Sequence, residues 1–113
     1  MSRIDRINES VKREVSDIVQ KEVKDPRLKF VTIMQAEVSR DLQHAKIYFS
    51  VFGDNSKIDS AQQGLDSAKG FIRKLVGQRV RMRYTPDIDF IFDESVSYGA
   101  HIEEIIEKIK HES

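Results

Sequence analysis

The hydrophobic period switches twice along this chain, and those switches limit the kinds of element it can form. Near the N-terminus Ile4, Ile7, Val11, Val15, Ile18, Val19 and Val23 recur at helical spacing, which predicts an amphipathic helix from about Ser2 to Lys24. Asp25-Pro26 should end it, because the residue before a proline is pushed out of the helical region. The period then falls to two. In Val31–Ser39 the residues Thr32, Met34, Ala36 and Val38 share one strand face. In Ala45–Val51 the residues Ala45, Ile47, Phe49 and Val51 share a face, and Lys46, Tyr48 and Ser50 point the other way. Arg40-Asp41-Leu42-Gln43 between them is short enough for a hairpin loop.

The helical period returns at Ile58, Ala61, Leu65, Ala68, Ile72 and Leu75, which step by 3, 4, 3, 4 and 3. Ser56, after a Gly53-Asp54-Asn55 turn, is the expected N-cap. Gly77 is the expected C-terminal cap of a helix ending near Val76. Gly64 and Gly70 interrupt this stripe, and each costs about 1 kcal/mol relative to alanine in a regular helix, so a kink or close packing is expected there. Val80–Tyr84 alternates apolar residues with arginine until Thr85-Pro86 breaks the pattern. Ile88–Phe92 reads as a third strand with Ile88, Phe90 and Phe92 inward. Ser95 should cap a last helix carrying Ile102, Ile105, Ile106 and Ile109. The order is α-β-β-α-kink-α-β-α, and 113 residues suit one domain, residues 1–113. Burying these stripes calls for an α+β fold with a three-stranded sheet packed against helices. The order matches the type II KH arrangement, an RNA-binding architecture.

Net charge is zero, from 19 basic and 19 acidic residues, but the distribution is uneven. Residues 1–68 balance 11 against 11, whereas residues 69–84 hold Lys69, Arg73, Lys74, Arg79, Arg81 and Arg83 with no acid. Residues 85–113 offset that block with 8 acids against Lys108 and Lys110. On a helix Lys69, Arg73 and Lys74 cluster on one side. On a strand Arg79, Arg81 and Arg83 would share a face. Converging cations of this kind suit phosphates; the competing reading is a solvated face balanced by the acidic C-terminal third.

Other chemistry finds little support. With no cysteine there are no disulfides and no thiol chemistry. No signal-peptide or membrane-length apolar run occurs, so a cytoplasmic protein with no membrane association is expected. His44 sits at the hairpin, while His101 lies three residues before Glu104 and His111 four after Glu107. No third ligand converges, so neither a metal nor a cofactor is expected. Asp87, Asp89, Asp93 and Glu94 raise the alternative of a small Mg²⁺-dependent nuclease. Strand flanks and a helix N-terminus explain them better, and no catalytic residue is assigned. Phosphate-loop motifs and a KH-type G-x-x-G loop are both absent.

Several segments together resemble one family. They are Arg3-Ile4-Asp5-Arg6-Ile7, Lys24-Asp25-Pro26-Arg27 and Ala45-Lys46-Ile47-Tyr48-Phe49-Ser50-Val51, then Ser67-Ala68-Lys69-Gly70-Phe71-Ile72-Arg73. The run Arg79-Val80-Arg81-Met82-Arg83-Tyr84-Thr85-Pro86 leads on to Phe90-Ile91-Phe92-Asp93. Across essentially the whole chain this is similar to bacterial ribosome-binding factor A. In that family an Ala-x-Gly kink replaces the KH loop, and Ala68-Lys69-Gly70 matches it. The sequence ends soon after the last expected helix, short of the C-terminal tail some members carry. The resemblance implies a non-enzymatic factor that binds the free or immature 30S subunit and its 16S rRNA. It further implies promotion of late maturation, including 5′-end processing, a role in cold adaptation, and release aided by assembly GTPases.

The residues themselves support RNA contact through Lys69, Arg73, Lys74, Arg79, Arg81 and Arg83, with secondary contacts from Arg3, Arg6, Lys12 or Arg13. Nothing demands a dimer, so a monomer is expected. A generic KH-like RNA-binding module is the other alternative.

Overall fold

The computed structural model describes residues 2–53 and 55–94. Helix α1 (Arg3–Lys21) opens on a reciprocal cap: the Ser2 hydroxyl accepts from the Asp5 amide, and the Asp5 carboxylate accepts from the Ser2 amide. Its stripe buries Val11, Val15, Ile18 and Val19, with Ile4, Ile7 and Val23 half-buried around them. The helix stops three residues short of the expected Lys24, with Glu22 as its C-cap. The cause lies ahead of the proline. Asp25 takes an extended backbone to cap a short 3₁₀ turn, Pro26–Leu28, its carboxylate accepting from the Arg27 amide at 2.9 Å.

Strands β1 (Val31–Val38) and β2 (His44–Val51) pair antiparallel, and β3 (Asp87–Phe92) pairs parallel to β2, giving the order β1-β2-β3. The hairpin between β1 and β2 closes on Asp41, whose carboxylate accepts from the Ser39 hydroxyl and the Gln43 amide, while Leu42 takes a positive φ of 62°. Strand β2 buries Ala45, Ile47 and Phe49 as its alternation requires.

Strand β1 does not keep one phase. A bulge between Ile33 and Gln35 places two β1 residues against one of β2. Val31 and Ile33 therefore face inward before it, and Ala36 and Val38 after it. Thr32 and Met34, expected to share a face with Ala36 and Val38, lie outside the core. The extra residue reverses which side chains meet the helices.

Helix α2 (Ser56–Arg79) buries Ala61, Gly64, Leu65, Ile72 and Val76. Asn55, not Ser56, is its N-cap, and the helix continues past Gly77 to a C-cap at Val80. It also runs unbroken through Ala68, Lys69 and Gly70, so the two helical pieces expected around a kink are one element. A side chain at Gly70 would meet nothing within 4 Å, so this glycine is not packed. Gly64 is packed: a Cβ there would fall 2.9 Å from Leu28 Cδ2 and 3.3 Å from Arg27 Cβ. The close-packing expectation therefore holds at one glycine of the pair.

Both helices cover one face of the sheet and share a single core. Phe49 and Phe92 meet edge to face at 5.8 Å, and Gln62 ties α2 to β3 by donating to the Phe90 carbonyl at 2.9 Å. Asn8 on α1 accepts from the Val38 amide at 2.9 Å. The last helix expected from Ser95, with His101, His111 and its isoleucines, lies outside the described residues. No described helix is long and apolar enough to cross a membrane.

Candidate nucleic-acid interface

The six cations of the basic block divide into two groups. Lys69 Nζ lies 3.5 Å from Asp89 Oδ1, and Arg73 Nε lies 3.3 Å from Asp87 Oδ1. Arg73 also donates to the carbonyls of Thr85 (2.8 Å) and Pro86 (3.2 Å). These two cations fasten the start of β3 to α2. The same contacts account for Asp87 and Asp89, two of the carboxylates weighed as magnesium ligands. Among the described residues no group of three His, Asp or Glu side chains is placed to hold a metal.

Arg79 is also committed inside the protein. It reaches three acids of the other helix and its cap: Asp17 at 3.0 Å, Glu22 at 3.3 Å and Glu14 at 3.6 Å. This ion cluster bolts the end of α2 across α1. Lys69, Arg73 and Arg79, all expected as RNA ligands, thus carry structural contacts that the charge count could not show.

Lys74, Arg81 and Arg83 remain, and among the described residues none has an acidic partner. On a strand Arg81 and Arg83 would share a face. Residues 80–86 form none, yet burial still alternates: Val80 is buried and Met82 packs against the core, which leaves Arg81 and Arg83 exposed. Arg83 lies over the Tyr84 ring at 5.4 Å.

Anchored by Val80, Arg81 reaches a groove of about 250 Å³ beside α1, lined by Arg3, Arg6, Ile7, Ser10, Arg13, Glu14, Arg79 and Val80 as well. Three of the four secondary candidates therefore join the block at one place. Their spacing is the reason: Arg3, Arg6 and Arg13 differ by three and seven, which stacks them on one helical face. Lys12 points elsewhere, into a depression shared with Asp5, Glu9 and the bulged Met34. Arg3, Arg6 and Arg81 have no acidic partner among the described residues, and Arg13 has only Glu14 at 3.7 Å. Unpaired guanidinium groups converging from two elements form a ready receptor for phosphate oxygens. The face of α1 was legible in its spacing; the meeting with Arg81 was not.

Residues 3–106 match the family model of Ribosome-binding factor A. The chain belongs to the ribosome-binding factor A family. A ribosome-binding factor A from Halothermothrix orenii is 47% identical over 110 residues, covering 97% of this chain and 90% of the relative. The crystal structure of ribosome-binding factor A from Thermus thermophilus superposes with a TM-score of 0.72 at 24% identity, over 80% of this chain and 96% of that one. A second Thermus thermophilus structure matches with a TM-score of 0.64 at 25% identity, over 77% and 91% of the two chains. It is a homology model of the factor fitted into the cryo-EM map of a 30S complex. The shared ribosome-binding factor A fold is thus the α+β sheet-and-helix arrangement described above.

Proposed function

We propose that this chain binds the small ribosomal subunit as a single-domain assembly factor, using the arginine groove between α1 and residues 80–83 to hold rRNA phosphates. The observation that carries this reading is the convergence of Arg3, Arg6 and Arg81, none with an acid partner among the described residues, on one groove. Family membership supplies the target, because a member of the family has been fitted into a 30S complex. Lys74 on α2 and Arg83 in the following loop supply two further exposed cations. Lys69, Arg73 and Arg79 act indirectly, by holding the segment that presents Arg81.

The finer reading follows the family resemblance. The chain acts by binding, without bond chemistry, on 16S rRNA in the free or immature 30S subunit in the cytoplasm. It promotes late maturation, including 5′-end processing, supports growth in the cold, and leaves with the help of assembly GTPases.

Co-sedimentation with free small subunits, large subunits and assembled ribosomes tests the target; selective association with free small subunits is expected. Replacing Arg3 and Arg81 together by alanine should weaken that association and flatten the slope of log affinity against log salt by about 0.7–0.9 per lost phosphate contact. Unchanged affinity and slope in this double variant would remove the groove from the mechanism.

A further inference from the structure

A second surface lies at the far end of α2 from the arginine groove. Phe52 is 80% exposed and Phe30 is 40% exposed. The two are adjacent across the end of the β1–β2 pair, where the Phe52 amide donates to the Phe30 carbonyl at 2.9 Å. Two cations converge on the Phe30 ring. Lys57 Nζ stands 4.4 Å from the centroid of the Phe30 ring and Lys29 Nζ 5.6 Å from it. The Lys57 stem runs beside Gly53, its Cδ 3.6 Å from where a Cβ would sit, so it lies alongside the turn that follows Phe52. Phe30 is held by these ammonium groups and by a shallow recess formed with Pro26, Arg27, Val51 and Ser60. Phe52 is left with its ring in solvent.

We infer that Phe52, backed by Phe30, Lys29 and Lys57, is a stacking platform for a single-stranded RNA base, with the two lysines facing the adjoining phosphates. This rests on the RNA-binding reading above and extends it to a second contact. An aromatic ring offered to solvent beside converging ammonium groups combines the two features single-stranded nucleic acid requires: a π-face for the base and positive charge for the backbone. A purely apolar protein partner would instead have to desolvate both lysines. Lys57 and Arg79 are separated by roughly 33 Å of helix at 1.5 Å per residue. The platform and the groove therefore engage different stretches of RNA, and the domain bridges them.

The test uses the intact chain and a fluorescein-labelled oligoadenylate of about twelve nucleotides, a length within the range that single-stranded binding folds occupy. Phe52→Ala should weaken oligoadenylate binding roughly tenfold, as loss of one stacked base does. Thermal unfolding should stay unchanged because the ring is exposed, and the salt slope should stay unchanged because no phosphate contact is lost. Phe52→Tyr should restore binding. The chain has no tryptophan, so Phe52→Trp supplies a single reporter whose fluorescence should be quenched by the oligonucleotide. Wild-type affinity of Phe52→Ala for oligoadenylate, or an unquenched Phe52→Trp, would overturn the platform. So would loss of small-subunit binding with oligoadenylate affinity intact, which would make the patch a protein-docking surface. Failure of the groove reading is distinguishable: there the Arg3 and Arg81 variant binds small subunits normally while the Phe52 effects persist.

Discussion

Gly77 and Thr85 approach more closely than any side chain at position 77 would permit: a Cβ there would fall 2.7 Å from Thr85 Oγ1 and 3.3 Å from its methyl carbon. This contact lets the chain fold back against the last turns of α2. Between these two residues run the buried Val80 and the exposed Arg81 and Arg83. The glycine thus helps to set where the arginines emerge.

Two glycines of one helix should therefore respond in opposite directions to the same substitution. Gly70→Ala adds a methyl group in open space and should stabilise by about 0.4–1 kcal/mol. Gly77→Ala gains about 1 kcal/mol in helix propensity but forces overpacking worth about 1–3 kcal/mol, so a net loss is expected. Denaturant unfolding of both variants decides this, and a gain in both would remove the Thr85 contact from the account.

Arg79 and Arg81 are two residues apart in the same basic run yet should fail differently. Arg79→Ala leaves Glu14, Asp17 and Glu22 close together without the cation they share, with only Lys21 still beside Asp17 and Arg13 beside Glu14. It should lower the thermal midpoint, and raised salt should recover part of the loss by screening the acids. Arg81→Ala should leave the midpoint unchanged and reduce RNA binding.

Acid should weaken the fold through three carboxylates, two half-buried and one exposed. The Lys21 ammonium, aided by Arg79, holds the Asp17 carboxyl below its usual range. The Arg27 guanidinium and amide lower Asp25, and the Ser39 hydroxyl and Gln43 amide lower Asp41. A carboxyl lowered in the folded state gives stability that is present above its unfolded value, about 3.9, and is lost as pH falls through the folded value. The thermal midpoint should therefore hold from neutral pH to about 5 and decline below about 4. Asp41→Asn should reduce the size of that decline by removing one of the three.

The α1 stripe carries the sharpest stability contrast. Val15 is fully buried while Lys12 lies near the surface. Val15→Asp places an unpaired carboxylate in the core and should cost about 3–5 kcal/mol at neutral pH, whereas Lys12→Ala should stay within about 0.5 kcal/mol of the parent. Equal, small losses in urea unfolding would show that the stripe is not buried.

The elements were legible because each depends on a local period. The stripe from Val11 to Val19, the β2 alternation at Ala45, Ile47 and Phe49, and Ala61, Leu65 and Ile72 of the α2 stripe are buried as their spacing selects, while Ala68 and Leu75 of that stripe are half-buried and Val76, outside it, is buried. The clustering of Arg3, Arg6 and Arg13 on one side of α1 follows from the same arithmetic. Tertiary structure alone decided the rest. The β1 bulge was hidden because one extra residue inverts a strand's phase without altering its composition. Gly64 and Gly70 look alike in sequence, and only the approach of Leu28 makes the first tightly packed while the second faces open space. The basic block reads as six equivalent cations, yet Lys69, Arg73 and Arg79 find Asp89, Asp87 and Asp17 across the fold, while Arg81 reaches the arginines of α1. Charge is a property of the residue, but whether it is available to a partner depends on which opposite charges the packing brings within a few ångströms.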